Sequence, residues 1–233
     1  EWGERTGIAV PPEILFGLAF LYTRFLESRT DAGVFSESRE RALAIYESVI
    51  ARGCPGLPGA LARKKLGDIL LLYPAASDDE TGNIERAESL YREALGMADP
   101  GVHCREMSSI LNNLGLALVR LGVSFGSVDY IKAAADSFAA SLSEGDNIFS
   151  AHEKALVNLN LGAAYSALGE YGPSAERLVS ALEFYNEYEY PGENVAVRRL
   201  LGTAYSSLAE ERLIAGDIEG AAEYLGSAAF AYR

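Results

Sequence analysis

The chain has 233 residues, of which 49% are apolar and 23% charged, and its formal net charge is −13 at pH 7. This composition supports a folded core, and the negative charge disfavours nucleic-acid binding because phosphates would be repelled. No apolar run reaches the roughly 18 residues of a membrane-spanning helix, so we expect no membrane insertion. Two cysteines, Cys54 and Cys104, are too few for a disulfide framework, and we expect a reduced, cytoplasmic setting.

Five helical apolar patterns carry a glycine at the same place, after a bulky apolar residue. In chain order they are Gly17, Gly67, Gly115, Gly162 and Gly202, spaced 50, 48, 47 and 40 residues apart. A recurrence on this scale predicts stacked helix pairs, each of which buries its apolar face against its neighbours. We expect a single domain over residues 1–233, with repeats near 11–53, 59–99, 105–145, 152–189 and 195–232.

A small residue opens the second helical pattern of each pair, and a larger apolar residue follows four positions later. The small residues are Ala42, Ala87, Ala134, Ser174 and Ala221, and the larger ones are Tyr46, Tyr91, Phe138, Leu178 and Leu225. A glycine inside a helix costs about 1 kcal/mol relative to alanine. Close packing must offset that cost, so the pattern predicts that paired helix axes approach to about 8–10 Å.

The pattern resembles the tetratricopeptide repeat. Its closest copy runs from Leu161-Gly162 and Tyr165 in one helix to Ser174, Leu178 and Ala181 in the next. The resemblance covers about residues 11–233 and implies an all-α, right-handed superhelical solenoid of about five antiparallel helix pairs. Only the fourth unit keeps the family's distance of 12 residues between the glycine and the small residue, and the others carry 13, 8, 7 and 7 extra residues.

The extra residues fall in segments 28–38, 74–82, 122–128 and 210–216. These segments hold turn-forming residues, such as Asp31-Ala32-Gly33 and Thr81-Gly82-Asn83. We therefore expect longer first helices and longer loops within several pairs, all at one edge of the solenoid.

The resemblance implies that the first helices line a concave face. In the fourth unit the core stripe is Val157, Leu161, Ala164, Tyr165 and Leu168, which follows the 3.6-residue period. The opposite stripe, which also includes Asp68, is expected to face a groove that binds peptide. The candidate peptide-binding residues are Lys64, Lys65, Asn112, Asn113, Arg120, Asn160, Arg199 and Thr203.

Asn113 and Asn160 occupy the same place in consecutive units, and an asparagine amide can both donate to and accept from an extended peptide backbone. The alternative is that both are solvated surface residues. Basic residues concentrate on the first helices, which favours an acidic or carboxylate-bearing partner, although ordinary solvated charge is the alternative. The carboxylate clamp of chaperone-binding relatives is not expected, because only Lys64 and Asn113 match it and Asp68, Leu156 and Asn160 do not.

Catalytic and metal-binding motifs are lacking, so we expect neither an enzyme nor a cofactor. Cys54, His103, Cys104 and His152 lie in turns one repeat apart. Successive units are about 10 Å apart, which is too far for them to share a zinc ion. Asp78-Asp79-Glu80 lacks the alternating ligands of a calcium loop, so we interpret it as a solvated loop tip.

The sequence therefore predicts a non-catalytic protein-interaction module that holds an extended peptide or a partner helix in its groove. The alternative is a sensor that closes around a small molecule or a signal peptide. The last helical pattern, 221–232, is apolar nearly all round with Glu223 as its only charge. We expect one end of the stack to be covered by a second copy of the chain or by another segment, unless its alanines expose too little apolar area to matter.

Overall fold

The computed structural model describes residues 11–27, 32–75 and 79–233. Within these ranges the chain forms ten α-helices and no strand, so the predicted all-α class is confirmed. The helices are α1 Pro12–Glu27, α2 Ala32–Ala51, α3 Gly56–Leu72, α4 Glu80–Met97, α5 Cys104–Phe125, α6 Val128–Gly145, α7 Ala151–Leu168, α8 Tyr171–Leu182, α9 Pro191–Ile214 and α10 Ile218–Ala231.

The chain divides into two compact units, Glu1–Ala117 and Leu118–Arg233, and the division falls inside α5. In the first unit α1 packs against α2, α2 against α3, and α3 against α4. In the second unit α6 to α10 pack in the same consecutive order. These contacts include four of the predicted pairs, namely α1 with α2, α3 with α4, α7 with α8 and α9 with α10. The single domain over 1–233 stays a prediction.

The small residues of the second helices are buried as predicted. Ala42, Ala87, Ala134 and Ser174 have no exposed surface, and Ala221 is 1% exposed. The core stripe of α7 is also confirmed, because Val157, Leu161 and Ala164 are buried and Tyr165 and Leu168 are half-buried. The helical period of these residues was sufficient to identify the faces that meet.

Three of the repeat glycines lie where the neighbouring helix comes close, namely Gly67, Gly162 and Gly202. A Cβ atom added to Gly67 would stand 2.9 Å from the Tyr91 ring, and one added to Gly162 would stand 2.8 Å from Leu178. The Ser174 hydroxyl also donates to the Gly162 carbonyl across 2.8 Å, which ties α8 to α7. Gly17 differs, since it is exposed and a Cβ there would meet nothing within 4 Å.

The fifth pair packs in a different register from the one expected. Gly202 faces the ring of Tyr232, whose nearest atom would lie 2.6 Å from an added Cβ, and not Leu225. Leu225 is 51% exposed. The aligned residues of the other units, Tyr46, Tyr91, Phe138 and Leu178, are buried.

The extra residues within the pairs are mostly helical, so the expectation of longer loops is wrong for three of the pairs. Residues 33–38 lie in α2, 122–125 in α5 and 210–214 in α9, and Gly82 with Asn83 lies in α4. The expected turn at Asp31 and the acidic residue Asp78 lie outside the described residues. In α2 an ion pair between Arg41 and Glu37, one turn apart, supports the helix.

The turns within the last three pairs share a glycine in the left-handed conformation. Gly126, Gly169 and Gly216 have φ angles of 62°, 77° and 81°, which other residues adopt at a cost. Gly169 ends α7, and the helix begins with a capping box in which Ser150 and Glu153 satisfy each other's backbone N–H groups. The left-handed Gly169 ends α7 abruptly, which allows α8 to begin at Tyr171 after a connection of two residues.

Candidate functional site

A buried carboxylate lies at the centre of the first unit. Asp68 of α3 is 6% exposed, and its Oδ2 atom accepts a hydrogen bond from Lys64 Nζ across 2.8 Å. Its Oδ1 atom accepts from the Tyr91 hydroxyl at 3.0 Å and from Asn113 Nδ2 at 2.7 Å. The carboxylate therefore joins α3 to both α4 and α5, and a buried charge of this kind requires such partners.

Burial and the negative charge of Asp68 raise the pKa values of Tyr46 and Tyr91. Burial raises the pKa of Tyr91 above its ordinary value, and the negative charge of Asp68 and its acceptance of the Tyr91 proton add to the effect. Burial also raises the pKa of Tyr46 to about 12, against a lowering by the Thr23 hydroxyl. Both phenols therefore stay protonated at neutral pH, and Tyr91 remains a donor to Asp68.

Lys64 and Asn112 are buried, contrary to the exposure expected for a groove-facing stripe. Lys64 is held by its ion pair with Asp68. Asn112 Nδ2 donates to Asn113 Oδ1 across 3.2 Å. Side chains of α3, α4 and α5 meet in one polar cluster around Asp68, and this removes Lys64 and Asn112 from solvent.

Lys65 and Phe20 extend this polar cluster toward the surface of the first unit. Lys65 Nζ lies 3.9 Å from Asp68 Oδ2 and 5.9 Å from the centre of the Phe20 ring. Phe20 is 43% exposed, and the Lys65 side chain is 24% exposed. Side chains of α1, α3 and α5 thus meet on one face, as expected of successive first helices.

The remaining candidates lie in the second unit. Arg120 near the end of α5 and Asn160 in α7 are half-buried, whereas Arg199 and Thr203 of α9 are exposed. Thr203 donates to the Arg199 carbonyl one turn earlier, across 3.0 Å, and its hydroxyl lies 3.4 Å from that of Tyr232. These residues lie on first helices, as predicted.

Several first-helix cations are neutralised by nearby acids, which reduces the positive potential expected of the first helices. Arg63 Nε donates to Glu93 Oε2 of α4 across 2.8 Å, and Lys154 Nζ lies 3.1 Å from Asp146 Oδ1. Lys64 is paired with Asp68 in the same way. Arg199, by contrast, forms no ion pair within the described residues.

The cysteines and histidines lie apart in the structure. Cys54 and Cys104 are free thiols, and His103 Nδ1 accepts from the Asp99 backbone N–H across 3.0 Å. His152 stacks on Tyr190 with ring centres 5.9 Å apart, in an aromatic cluster with Phe184 and Tyr185. Among the described residues no group of three or more His, Cys, Asp or Glu side chains could hold a metal ion.

Two features of the second unit were missed by the sequence analysis. Arg198 Nε donates to Asn194 Oδ1 across 2.9 Å, and its guanidinium carbon lies 5.8 Å from the centre of the Phe230 ring. The four-residue spacing of Asn194 and Arg198 could have indicated their pairing. The second feature is the aromatic cluster around His152, which adjacent Phe184 and Tyr185 could have suggested.

Helix α10 presents a continuous apolar surface, as its sequence predicted. We call Ile218, Ala222, Leu225 and Ala229 the outer face of α10, because they recur every three or four residues and are all exposed. Ile218 is 75% exposed and Leu225 is 51% exposed. The opposite side, with Ala221, Ala228 and Ala231, is buried.

One helix of the described ranges, α5, is long and apolar enough to cross a bilayer by length and composition. The sequence analysis did not identify this stretch. Half of its most apolar window is buried, and Ile110, Leu114 and Leu118 of the helix are core residues. A partly buried core helix passes the same test, so the absence of membrane insertion stays a prediction.

Neither a family model nor a curated protein matches the chain. Three solved structures are similar to it. A kinesin light chain of Podosopora anserina with nearly identical TPR-like repeats has 13% identity and a TM-score of 0.60, over 93% of this chain and 96% of that one. MamA has 16% identity and a TM-score of 0.55, over 87% and 95% respectively. BtubC (BKLC) from P. vanneervenii has 15% identity and a TM-score of 0.51, over 96% and 91%.

Proposed function

We propose that this chain, which has the fold of the tetratricopeptide-like repeat proteins, is a non-catalytic protein-interaction module. It holds an extended peptide or a partner helix on the face of its first helices. The fold favours this role because, within each unit, every pair adds one helix to the binding surface.

One observation carries the proposal. In the first unit, Lys65 of α3 and Asn113 of α5 lie beside Asp68, and Phe20 of α1 lies beside Lys65, so three successive first helices present side chains on one face. Phe20 supplies apolar contact area and Lys65 supplies positive charge. Asn113 supplies the donor and acceptor capacity that its bonds to Asp68 and Asn112 leave. This combination suits a peptide that carries both an apolar and an acidic side chain.

In the second unit the same role is assigned to Arg120, Asn160, Arg199 and Thr203. The exposed guanidinium of Arg199 is the best placed of these groups to receive an acidic or carboxylate-bearing residue. Both cysteines are free thiols, which supports the cytoplasmic location that the proposal includes.

The test begins with capture of partners by crosslinking and mass spectrometry, followed by calorimetry with each purified partner. Lys65→Gln removes the positive charge of Lys65 while retaining most of the length of the side chain. We expect it to weaken binding about tenfold, the equivalent of one charge-assisted contact.

The matched control is Lys132→Gln, because Lys132 is an exposed lysine of the second helix α6. This variant should bind the partner with unchanged affinity. Circular dichroism would verify that both variants are folded. Equal affinities for the parent and the Lys65 variant would contradict the assignment of this face.

A further inference from the structure

A cleft in the second unit lies between the first turns of α9 and the end of α10. Three arginines line it, namely Arg198, Arg199 and Arg233, together with Asn194 and Tyr232. Glu187 is the single acidic residue among the described residues that line the cleft. A positive cleft is unexpected in a chain whose net charge is −13, and it indicates a local preference for anions.

Arg198 is held in place before any ligand arrives. Its Nε atom donates to Asn194 Oδ1 across 2.9 Å. Asn194 is 6% exposed and is itself fixed by donation from Nδ2 to the Tyr185 carbonyl across 2.6 Å. The Phe230 ring lies 5.8 Å from the guanidinium carbon. This chain of contacts reduces the entropy that Arg198 would lose on binding a ligand.

The donors of the cleft are not satisfied by the protein. Nε is the one nitrogen of the Arg198 guanidinium that makes a hydrogen bond within the described part of the chain, so the two terminal nitrogens are available. Arg199 is exposed and forms no ion pair there. Arg198 and Arg199 both line the cleft, and the unused N–H donors of each match the oxygen atoms of an anion, because a guanidinium presents its donors in a planar fork.

We propose that this cleft binds a carboxylate group of an acidic peptide, with Arg198 and Arg199 as the donors. The inference rests on the proposed function, because it names where the partner's carboxylate binds. The cavity volume of about 450 Å³ accommodates an acidic side chain. The lining carries three arginines against the single Glu187, so it is net positive, and the planar fork of a guanidinium matches the two oxygen atoms of a peptide carboxylate.

The experiment uses nuclear magnetic resonance of the arginine Nε–H groups during titration at constant ionic strength. The probes are the peptide acetyl-Asp-Glu-Glu-Asp-amide, its uncharged counterpart acetyl-Asn-Gln-Gln-Asn-amide, and inorganic phosphate. We expect saturable shifts of the Arg198 signal with the acidic peptide alone. The double variant Arg198→Gln with Arg199→Gln should bind that peptide at least about tenfold more weakly.

Arg177→Gln is the matched control, since Arg177 is an exposed arginine of α8 in the same unit. It should leave the affinity unchanged. Equal binding of the uncharged peptide, tighter binding of phosphate, or an equal loss in the Arg177 variant would overturn the inference.

The experiments distinguish failure of the cleft to bind a carboxylate from failure of the first-helix face to bind a partner. The probes require no protein partner, so the cleft can bind them even when no partner binds to the first-helix face. Conversely, a partner that is sensitive to Lys65→Gln and insensitive to the double arginine variant would support binding to the first-helix face of the first unit. The same result would overturn the cleft and the role assigned to Arg199.

Discussion

Asn113 of α5 donates from Nδ2 to Asp68 Oδ1 of α3 across 2.7 Å, and so links two first helices through a buried carboxylate. Its other amide atom, Oδ1, accepts from Asn112 at 3.2 Å. The amide that was expected to hold a peptide backbone is therefore already engaged within the protein. A peptide could use only its remaining donor and acceptor capacity.

This relationship predicts that Asn113→Ala destabilises the protein, although alanine favours helices. Asp68 loses a partner while remaining buried, and we expect the free energy of unfolding to fall by about 1–3 kcal/mol. Urea unfolding monitored by circular dichroism would measure the change. Asn147→Ala, at an exposed turn position, is the control and should change stability by less than about 0.5 kcal/mol. Equal stability of the two variants would contradict the structural role of Asn113.

A second prediction compares two helical glycines of the second unit. Gly162→Ala places a Cβ atom 2.8 Å from Leu178 and 3.3 Å from the Ser174 carbonyl oxygen. We expect a loss of about 1–3 kcal/mol from overpacking between α7 and α8. Gly226→Ala meets nothing within 4 Å, and it should stabilise α10 by up to about 1 kcal/mol. Thermal unfolding of both variants tests the prediction, which fails if they shift in the same direction.

Asn158 offers a stabilising substitution. Its Oδ1 atom is buried without a hydrogen-bond partner, while Nδ2 donates to the Lys154 carbonyl across 2.9 Å. Asn158→Leu removes the unsatisfied oxygen with the same branched shape and improves helix propensity, so stability should rise by about 1 kcal/mol. Asn158→Asp should lower stability because it would bury a charge. Chemical denaturation would measure both changes, and a destabilised leucine variant would refute the prediction.

The tyrosines predict a loss of stability at alkaline pH. The pKa values of Tyr46, Tyr91 and Tyr185 are raised in the folded protein, for Tyr46 from 10.0 to about 12. Burial is the main cause in each case, and for Tyr185 the negative charge of Glu193 adds to it. The folded state therefore retains protons that the unfolded state loses above pH 10.

Because the folded-state pKa is the higher one, the stabilisation is fully present below pH 10 and declines as pH rises toward 12. Each such tyrosine contributes a slope of about 1.4 kcal/mol per pH unit in its window. Urea unfolding at several alkaline pH values should show the decline. Tyr46→Phe should make it shallower, and an identical pH dependence in that variant would contradict the shifted pKa of Tyr46.

Helix α10 predicts self-association. The outer face of α10 exposes Ile218 and Leu225 together with Ala222 and Ala229. We expect a second copy of the chain to cover this face around a two-fold axis. Sedimentation equilibrium at high micromolar concentration should give a mass above 25.0 kDa. Leu225→Lys places a charge on the outer face and should restore the monomer. A monomeric parent chain would exclude this interface.

Sequence reasoning identified the features that depend on local spacing. The small residues Ala42, Ala87 and Ser174 are buried, and the stripe from Val157 to Leu161 faces the core, because a helix of 3.6 residues per turn places them there whatever its partner. The longer loops that were predicted within the pairs are mostly absent from the described residues. Turn-forming dipeptides indicated loops, but helix-forming neighbours and packing incorporated most of these residues into α2, α5 and α9.

The sequence by itself indicated the helices of the described ranges and, for α7 and α8, the faces that meet, since these follow from periodic patterns within about 20 residues. Only the tertiary structure decided which polar side chains are buried. Asp68 and Asn113 are 45 residues apart along the chain, and Tyr232 rather than Leu225 packs on Gly202. Such contacts depend on how separate helices meet, and a pattern within one helix carries no information about the side chains that arrive from another.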